Sequence, residues 1–384
     1  MPRLVYLVSE DWYFLSHRLP MAQAALRAGY EVHVATHVGV QGEEIEKLGF
    51  RLHRLDWRRG SMKPANLLRT IHQVRKVYRS VMPDLVHHVA LQSAVIGSLA
   101  VIGLPVARLN ALAGMGFVFT SQAMTARMVR ATLARLLRFL LNRPRTAVLV
   151  QNPDDRAAVL ALGIASKRIF LIPGSGVDTV HFAPLPEPDG PVTMAFVGRM
   201  LDDKGVRTLM SAHAELERRG RPVRLLLAGE ADPANPASVP QHEIDEWSRR
   251  PDVAVLGHVE DIRKVWAAAH IAVLPSRREG LPKSLLEAAA CGRPIVATDV
   301  PGCREIARPG INALLVLPDD AAALAEAIDR LAHDAALRRK FGSAGRGLVE
   351  QEFSSERIGQ ATIALYDRLL QDRRAVLPTT AAPG

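Results

Sequence analysis

Two glutamates eight positions apart, Glu279 and Glu287, are the residues of this chain best suited to bind a substrate. The apolar segment Ile271–Leu274 predicts a strand that ends before the first of them, and Pro282 favours the start of a helix that carries the second. Open α/β sheets bind ligands at the carboxyl ends of their strands. Both carboxylates can therefore accept hydrogen bonds from one polyhydroxylated molecule lying over the helix N-terminus.

Two cations flank a turn earlier in the chain. The segment 194–206 predicts a strand that ends at Gly198 and a helix that starts near Gly205, with Arg199 and Lys204 between them. Free N–H groups at a helix start, together with two cations, favour a bound anion. The alternative is an ordinary turn with basic surface residues. Taken with the two glutamates, the turn predicts a diphosphate site beside a site for a sugar or ribose.

Short apolar strands alternate with helical patterns along the chain, which predicts βαβ units and parallel sheets. We predict an α/β fold of two doubly wound Rossmann-like lobes with a cleft between them and a Pro-rich linker at 179–190. The predicted boundaries are 1–185 and 186–352 for the lobes, 353–374 for a helix that packs back across the hinge, and 375–384 for a disordered tail. The predicted strands are 4–8, 31–35, 51–55, 85–88, 106–109, 147–150, 169–172, 193–197, 223–228, 253–256, 271–274, 295–297 and 313–316.

Charge is distributed unevenly between the predicted lobes. Residues 1–185 hold 23 Lys and Arg against 11 Asp and Glu, whereas residues 186–384 hold 26 against 28. A basic first lobe implies an anionic partner: a lipid surface, a phosphorylated acceptor or nucleic acid. A predicted helix within 120–145 places Arg127, Arg130 and Arg138 on one face, which predicts contact with an anionic membrane surface. The alternative is a solvated basic face.

Two cysteines, Cys291 and Cys303, fit neither a disulfide framework nor zinc-ligand spacing, and they indicate a reducing compartment. The start of the chain predicts a strand rather than a signal peptide. The longest apolar tract, 89–106, is interrupted by polar residues, Gly and Pro, so it does not predict a membrane span. We expect a cytoplasmic protein at the inner face of the plasma membrane.

The second half of the chain resembles the nucleotide-sugar half of glycosyltransferase family 4, a retaining group with the two-lobed GT-B fold. The motifs that carry this resemblance are G-R-M-L-D-D-K-G at 198–205, L-L-A-G-E at 226–230, L-G-H-V-E-D-I at 256–262, P-S-R-R-E-G-L-P at 275–282 and L-L-E-A-A-A-C-G-R-P-I-V-A-T-D at 285–299. The E-x7-E spacing of that family is kept by Glu279 and Glu287.

The resemblance implies a role for each matching residue. Arg199 and Lys204 would bind the donor diphosphate, Glu279 the transferred sugar and Glu287 the ribose hydroxyls. The residues implied to form the donor site are Gly198, Arg199, Lys204, Val259, Glu279, Gly280, Leu281 and Glu287. Of these, Arg199, Lys204 and Glu279 are the implied catalytic groups, Gly280 and Leu281 would donate main-chain N–H groups to phosphate, and Val259 would lie against the base.

The first half resembles bacterial members of the same family that build surface polysaccharides on lipid carriers. The matching segments are 10–20, 86–93, 109–121 and 150–156. Many members have a His-Gly pair where this chain has Ala113-Gly114, so a catalytic histidine must lie elsewhere. Of the adjacent pair His87 and His88 at most one can face the cleft, because neighbouring residues of a strand point to opposite sides; we predict His88 as the catalytic histidine. The predicted acceptor-side residues are His17, Arg18, Asn110 and Gly114.

These observations predict a retaining glycosyltransferase that uses a UDP-linked sugar and a lipid-linked or saccharide acceptor. No spacing of carboxylates and histidines predicts a metal site, and we expect neither a metal nor a cofactor. One alternative is a nucleotide-sugar 2-epimerase of the same fold, against which the arginine-rich, acid-free stretch 85–153 and the glutamate pair argue. The other is a basic nucleic-acid-binding protein, against which the low aromatic content and the lack of a reader motif argue.

Overall fold

Two parallel β-sheets, each covered by helices, form the two units of this chain. The computed structural model describes residues 1–57, 64–112, 124–174, 176–233 and 235–374, with their side chains except at 124–130 and 372–374. One unit comprises Met1–Ser175 and Ser355–Gly384, and the other comprises Gly176–Ser354. The predicted disordered tail, 375–384, lies outside the described residues.

The first unit contains a seven-stranded sheet of order β3-β2-β1-β4-β5-β6-β7, in which all pairings are parallel. Its strands are β1 Arg3–Glu10, β2 Glu31–His37, β3 Arg51–Arg54, β4 Leu85–Val89, β5 Ala107–Ala111, β6 Thr146–Val150 and β7 Ile169–Leu171. Its described helices are Asp11–His17, Leu19–Arg27, Gly42–Lys47, Pro64–Val81, Ala90–Ala100, Met124–Leu141, Pro153–Ala161 and Ser355–Arg374, with a 3₁₀ turn at Ser166–Arg168. The central strands are buried, because helices cover both faces of a parallel sheet, and β4 and β5 bury polar side chains as well as apolar ones.

The second unit contains a six-stranded parallel sheet of order β10-β9-β8-β11-β12-β13. Its strands are β8 Thr193–Val197, β9 Arg224–Ala228, β10 Val253–Gly257, β11 Ile271–Leu274, β12 Ile295–Thr298 and β13 Ala313–Val316. Its described helices are Val206–Arg218, Gln241–Ser248, Arg263–Ala268, Lys283–Ala290, Cys303–Ile306, Ala321–His333 and Ala335–Leu348, with a 3₁₀ turn at Asp202–Lys204 and a π-helical turn at Val349–Phe353.

The predicted α/β class with two doubly wound lobes is confirmed. All thirteen predicted strands are present, and their ends lie within two residues of the predicted ones. Five of the described helices were not predicted: Asp11–His17, Gly42–Lys47, Gln241–Ser248, Cys303–Ile306 and Ala335–Leu348. Four of them span only four to eight residues, too few for a clear helical period. The fifth, Ala335–Leu348, follows another helix with a single residue between them; that residue, Asp334, caps it by accepting a hydrogen bond from the Leu337 N–H at 2.8 Å.

The predicted linker, 179–190, packs on the second unit. Arg346 Nη1 donates to the Phe182 carbonyl at 2.6 Å, and Arg338 Nε donates to Glu187 Oε1 at 2.7 Å. Both arginines are largely buried, so their hydrogen bonds hold the segment against the helix Ala335–Leu348. The second unit accordingly begins ahead of this segment, at Gly176 rather than near residue 185.

The last described helix, Ser355–Arg374, packs on the first unit against the helix Leu19–Arg27. Its buried Tyr366 hydroxyl hydrogen-bonds His87 Nδ1 and the Tyr6 hydroxyl, each at 2.7 Å. Each of these three polar side chains is fully buried, and the hydrogen bonds offset the cost of that burial. The network ties the helix to β1 and β4.

On the opposite face of β4, His88 is also fully buried. Its ring nitrogens hydrogen-bond the Tyr78 hydroxyl at 3.0 Å and Asn110 Oδ1 at 2.8 Å. The helix Ala90–Ala100 makes room for the ring with Gly97, where a side-chain Cβ would lie 2.3 Å from His88 Nε2. Burial lowers the pKa of His88 to about 4, because the charged ring would lose its hydration, and the hydrogen bond with Asn110 opposes this shift only in part.

We predict that His88 makes the first unit sensitive to acid. Because the folded-state pKa of about 4 lies below the ordinary value of 6.5, the unfolded state binds more protons between these values. The stability contribution of the neutral ring is therefore complete above pH 6.5 and is lost as the pH falls through 4. Wild type should lose about 2 kcal/mol more unfolding free energy than His88→Gln between pH 7.5 and pH 5, measured by urea denaturation.

Replacing the exposed His242 by Gln is the matched control, and it should leave the pH dependence as in wild type. Equal acid sensitivity of wild type and His88→Gln would contradict the assignment of a neutral buried ring.

Candidate active site

The candidate active site lies at the carboxyl ends of the central strands of the second sheet. The order β10-β9-β8-β11-β12-β13 places β8 beside β11, although two other strands separate them in sequence. From β8 the chain continues to β9 on one side of the sheet, and from β11 it continues to β12 on the other side. The loops after β8 and β11 therefore diverge and leave a crevice. The loop after β8 carries Arg199 and Lys204, and the loop after β11 carries Glu279.

A glycine allows these two loops to touch. Gly205 has a φ of +71°, and a Cβ at this position would lie 1.9 Å from the Pro275 carbonyl oxygen. Only glycine adopts this left-handed conformation without strain and also permits such close backbone contact. A hydrogen bond from the Arg277 N–H to the Asp203 carbonyl, at 2.9 Å, joins the same two loops. The residues beside these contacts, Lys204 and Glu279, are therefore adjacent.

Lys204 and Glu279 form an ion pair in this crevice. Lys204 Nζ lies 2.6 Å from Glu279 Oε1, and the Ser276 hydroxyl donates to the same oxygen at 2.7 Å. The Glu279 side chain is only 8% exposed, whereas the Lys204 side chain is 24% exposed. Charge-assisted hydrogen bonds in this partly desolvated crevice hold the Lys204 ammonium and the Glu279 carboxylate in a fixed arrangement. The two motifs of the sequence thus meet in one site through Lys204 and Glu279.

Glu287 is carried by the helix that follows the Glu279 loop. It is on the helix Lys283–Ala290 and is 6% exposed. Burial raises the pKa of its carboxyl group, and the ammonium of Lys283, 3.3 Å from Glu287 Oε1, opposes that shift. Lys283 was not singled out in the sequence, although its spacing four residues before Glu287 places both on one helix face.

The loop after β12 supports the main chain around Glu279. Gly302 has a φ of +64°, and a Cβ there would lie 2.5 Å from the Gly280 carbonyl oxygen and 2.7 Å from that of Glu279. Gly280 and Leu281 stand just before the helix that starts at Lys283 and are half-buried. The backbone that precedes this helix is thereby held in place at the crevice.

Arg199 does not join this ion pair. Its Nη1 lies 2.6 Å from Asp232 Oδ2, and its side chain is 42% exposed. Asp232 comes from the loop after β9, which adjoins β8, and it was not singled out in the sequence. The sequence signal that could have identified Asp232 was its position just after the predicted strand 223–228, at the carboxyl edge of the same sheet. Of the other residues predicted for the donor site, Gly198 donates its N–H to the Ala228 carbonyl at 2.9 Å, and Val259 is half-buried in the loop after β10.

Comparison with known proteins identifies the family. A model described as "Glycosyl transferase 4-like" matches residues 3–152, and one described as "Glycosyl transferases group 1" matches residues 191–334. Between them they cover every strand of both sheets except β7, and the site described above. The chain belongs to the family 4 glycosyltransferases.

Three proteins illustrate how similar this glycosyltransferase is to known ones. The capsular polysaccharide biosynthesis glycosyltransferase CapM of Staphylococcus aureus is 30% identical over 179 residues, 47% of each chain. The N,N'-diacetylbacillosaminyl-diphospho-undecaprenol alpha-1,3-N-acetylgalactosaminyltransferase of Campylobacter jejuni is 25% identical over 94% of this chain and 99% of its own length. The structure of Anabaena HepE in complex with UDP and glucose matches with a TM-score of 0.77 and 18% identity, over 96% of this chain and all of the other. This last likeness supports the GT-B fold.

The first-lobe residues predicted for this glycosyltransferase are mostly buried. His88 and Asn110 are both fully buried and hydrogen-bonded to each other. A buried ring whose two nitrogens are both occupied does not reach a substrate, so the structure argues against a catalytic role for His88 and against an acceptor-side role for Asn110. The error arose because β4 continues past His88, and the following helix covers that face of the strand.

The remaining acceptor-side predictions have different outcomes. Arg18, between the first two helices, is 1% exposed. His17 is half-buried, hydrogen-bonded to the Ser16 hydroxyl at 2.6 Å and stacked on Tyr13 with 4.3 Å between ring centroids. Gly114 lies outside the described residues. Among the predicted acceptor-side residues that the structure describes, only His17 is therefore partly accessible.

We predict that Gly205→Ala strongly destabilises the second unit. The added Cβ would be forced against the Pro275 carbonyl and the backbone would be strained, which should cost about 3 kcal/mol or more of unfolding free energy. Gly220→Ala is the matched control: its φ is +68°, but a Cβ there would meet no atom within 4 Å. This control should cost only the conformational strain of about 1 kcal/mol. Equal losses in urea denaturation would contradict the close contact of the two loops.

Proposed function

We propose that this glycosyltransferase moves a sugar, with retention of anomeric configuration, from a UDP-linked donor to a lipid-linked or saccharide acceptor in surface polysaccharide synthesis. The Lys204–Glu279 ion pair at the carboxyl edge of the second sheet carries the proposal. A cation and a carboxylate in contact match the two ends of an activated sugar, since phosphate needs positive charge and hydroxyl groups need acceptors.

The donor is bound by groups that already stand at this edge. Lys204 contacts the diphosphate, and the N–H groups of Gly280 and Leu281 donate to it at the start of the helix Lys283–Ala290. Glu279 accepts hydrogen bonds from the sugar hydroxyls. Glu287, buried on that helix, accepts from the ribose hydroxyls. Positive charge near the leaving diphosphate stabilises the charge that develops as the glycosidic bond breaks.

The reaction proposed here is a front-side displacement. The acceptor oxygen forms a bond to the anomeric carbon on the face from which the diphosphate leaves, and its proton passes to a donor phosphate oxygen. The proposal includes no covalent glycosyl-enzyme intermediate, and the Oε1 atom of Glu279 is held by Lys204 and Ser276. Its carboxylate instead orients the sugar, so the chain supplies binding and charge stabilisation.

The names of the relatives support the donor and acceptor classes. The HepE structure contains UDP, and the name of the Campylobacter enzyme specifies a diphospho-undecaprenol acceptor. The name of CapM specifies capsular polysaccharide biosynthesis. A lipid-diphosphate acceptor also suits the net charge of +12 that residues 1–185 carry.

We predict that Lys204→Ala lowers sugar transfer about a hundredfold or more while the protein stays folded, because the leaving diphosphate loses its bound cation. Glu279→Ala should have a similar effect through loss of sugar orientation. Transfer from a UDP-sugar panel to lipid extract, followed by product analysis, is the measurement. Lys340→Ala, at an exposed position on the helix Ala335–Leu348, is the matched control and should keep wild-type activity. Wild-type transfer by Lys204→Ala would refute this site, and formation of an epimer without transfer would favour the epimerase alternative.

We further propose that the first unit binds an anionic membrane surface at the cytoplasmic face. The end of the helix Met124–Leu141 and the residues after it expose Phe139, which is 59% accessible, among Arg135, Arg138 and Arg143. The Arg143 guanidinium lies 5.0 Å from the centre of the Phe139 ring. An exposed aromatic ring among cations is suited to lipid headgroups and the region just below them.

Two further observations bear on this membrane proposal. Arg127 and Arg130, which the sequence adds to the same helix, have side chains outside the described set. No helix in the described part of the chain is long and apolar enough to cross a membrane. The proposal therefore concerns attachment from one side.

We predict that Arg135→Gln with Arg138→Gln weakens binding to vesicles that contain phosphatidylglycerol. Each arginine near an anionic surface contributes about 1 kcal/mol, so the double variant should bind roughly twentyfold to thirtyfold more weakly in sedimentation assays. The matched control neutralises two exposed cations of the second unit, Arg339→Gln with Lys340→Gln, and should bind as wild type. Unchanged binding of the first double variant would refute this surface.

A further inference from the structure

Asp232 occupies an unexpected place for a carboxylate. It pairs at 2.6 Å with Arg199. The family resemblance implies that Arg199, together with Lys204, binds the donor diphosphate. The Asp232 side chain is 21% exposed and the Arg199 side chain is 42% exposed, so the pair is accessible to solvent. An acidic group beside a diphosphate site repels the ligand, so the presence of Asp232 beside Arg199 requires an explanation.

The backbone around Asp232 is held to the loop after β8. The Asp232 N–H donates to the Ser238 hydroxyl at 2.9 Å. Leu201 and Ser238 form an antiparallel bridge, and the Val239 N–H donates to the Met200 carbonyl at 2.9 Å. The loop after β9 therefore lies alongside the loop that carries Arg199, and the ion pair joins side chains of two segments that are already fixed to each other.

We propose that Asp232 is an internal competitor of the donor diphosphate, which holds Arg199 while the site is empty and releases it when the nucleotide-sugar enters. The inference rests on the proposed function. When the nucleoside diphosphate product leaves after transfer, Asp232 regains Arg199, so this internal partner favours product dissociation. Asp232 thus acts as a positioning residue that sets nucleotide affinity and release without touching the reacting atoms.

The balance of charges supports an exchange of partners. An exposed ion pair between single charges contributes little to stability, so opening it costs little. The diphosphate carries more negative charge than one carboxylate and also contacts Lys204 and the helix N-terminus, so it prevails over Asp232 for Arg199. The displaced carboxylate stays close to the diphosphate and reduces its affinity by like-charge repulsion, which weakens as salt is added.

The test is binding of UDP and, in parallel, GDP to the full chain by isothermal titration calorimetry. Asp232→Asn keeps the size of the side chain and removes its charge. This variant should bind the nucleotide that wild type binds about fivefold more tightly at low salt, and the nucleotide should dissociate correspondingly more slowly in stopped-flow measurements. In an Arg199→Gln background the same substitution should give a gain of about twofold or less, because there is no longer a guanidinium to release.

The control is another arginine–carboxylate pair of the same unit. Glu217 lies 2.7 Å from Arg250, at the edge of the sheet opposite the candidate site. Glu217→Gln changes the net charge as Asp232→Asn does, so it should leave nucleotide binding unchanged. Inorganic pyrophosphate should show the same ranking of variants as the nucleotide, because the inference concerns the diphosphate rather than the base.

Three results would overturn the inference. Unchanged or weaker nucleotide binding by Asp232→Asn, with normal binding by wild type, refutes the role of Asp232 and leaves the proposed function standing. An equal gain in nucleotide affinity by Glu217→Gln would show that the effect comes from net charge rather than from Asp232. Absence of UDP and GDP binding by wild type contradicts the proposed function itself, and the role of Asp232 fails with it.

Discussion

The second unit depends on the contact between the loops after β8 and β11. The sheet order makes these strands neighbours, and Gly205 lets their loops approach to a distance that no side chain would permit. The contact converts two separate loop motifs into one site, since Lys204 and Glu279 then share a hydrogen bond within a partly desolvated crevice. Without the contact between the two loops, Lys204 and Glu279 could each be exposed and mobile. Held in this way, they form a fixed pair of a cation and a carboxylate, which is the basis for proposing a ligand that carries both phosphate and hydroxyl groups.

Charge in this site is balanced before any ligand binds. Lys204 faces Glu279, Arg199 faces Asp232 and Lys283 faces Glu287, so each cation of the site has a carboxylate partner on the protein. These partners differ in what they can do when the donor arrives. Glu279 and Glu287 are proposed to accept hydrogen bonds from sugar and ribose hydroxyls, whereas Asp232 is proposed to act through its charge on Arg199. This difference is the reason for assigning it a role in affinity and release.

The first unit uses its polar residues differently. His87 and His88 are neighbours on β4, and each is buried on its own face of the sheet, bonded to Tyr366 on one side and to Tyr78 and Asn110 on the other. Histidines at the end of a strand near the ligand-binding edge suggested catalysis, but the tertiary structure covers them. The basic residues around the exposed Phe139 are the basis of the proposed contact with an anionic surface.

Apolar periodicity and turn residues were sufficient to predict the α/β class, all thirteen strands and the loops that carry the site, because these depend on neighbours within a few positions. The short helices were missed for the same reason, as four to eight residues hold too little of a period. Pairings between distant residues were decided only by the tertiary structure: Lys204 meets Glu279 across 75 positions, and Arg199 meets Asp232 across 33. Such pairs depend on which strands lie side by side and how closely their loops pack, and no local pattern encodes the burial of His88 or the charge that faces Arg199.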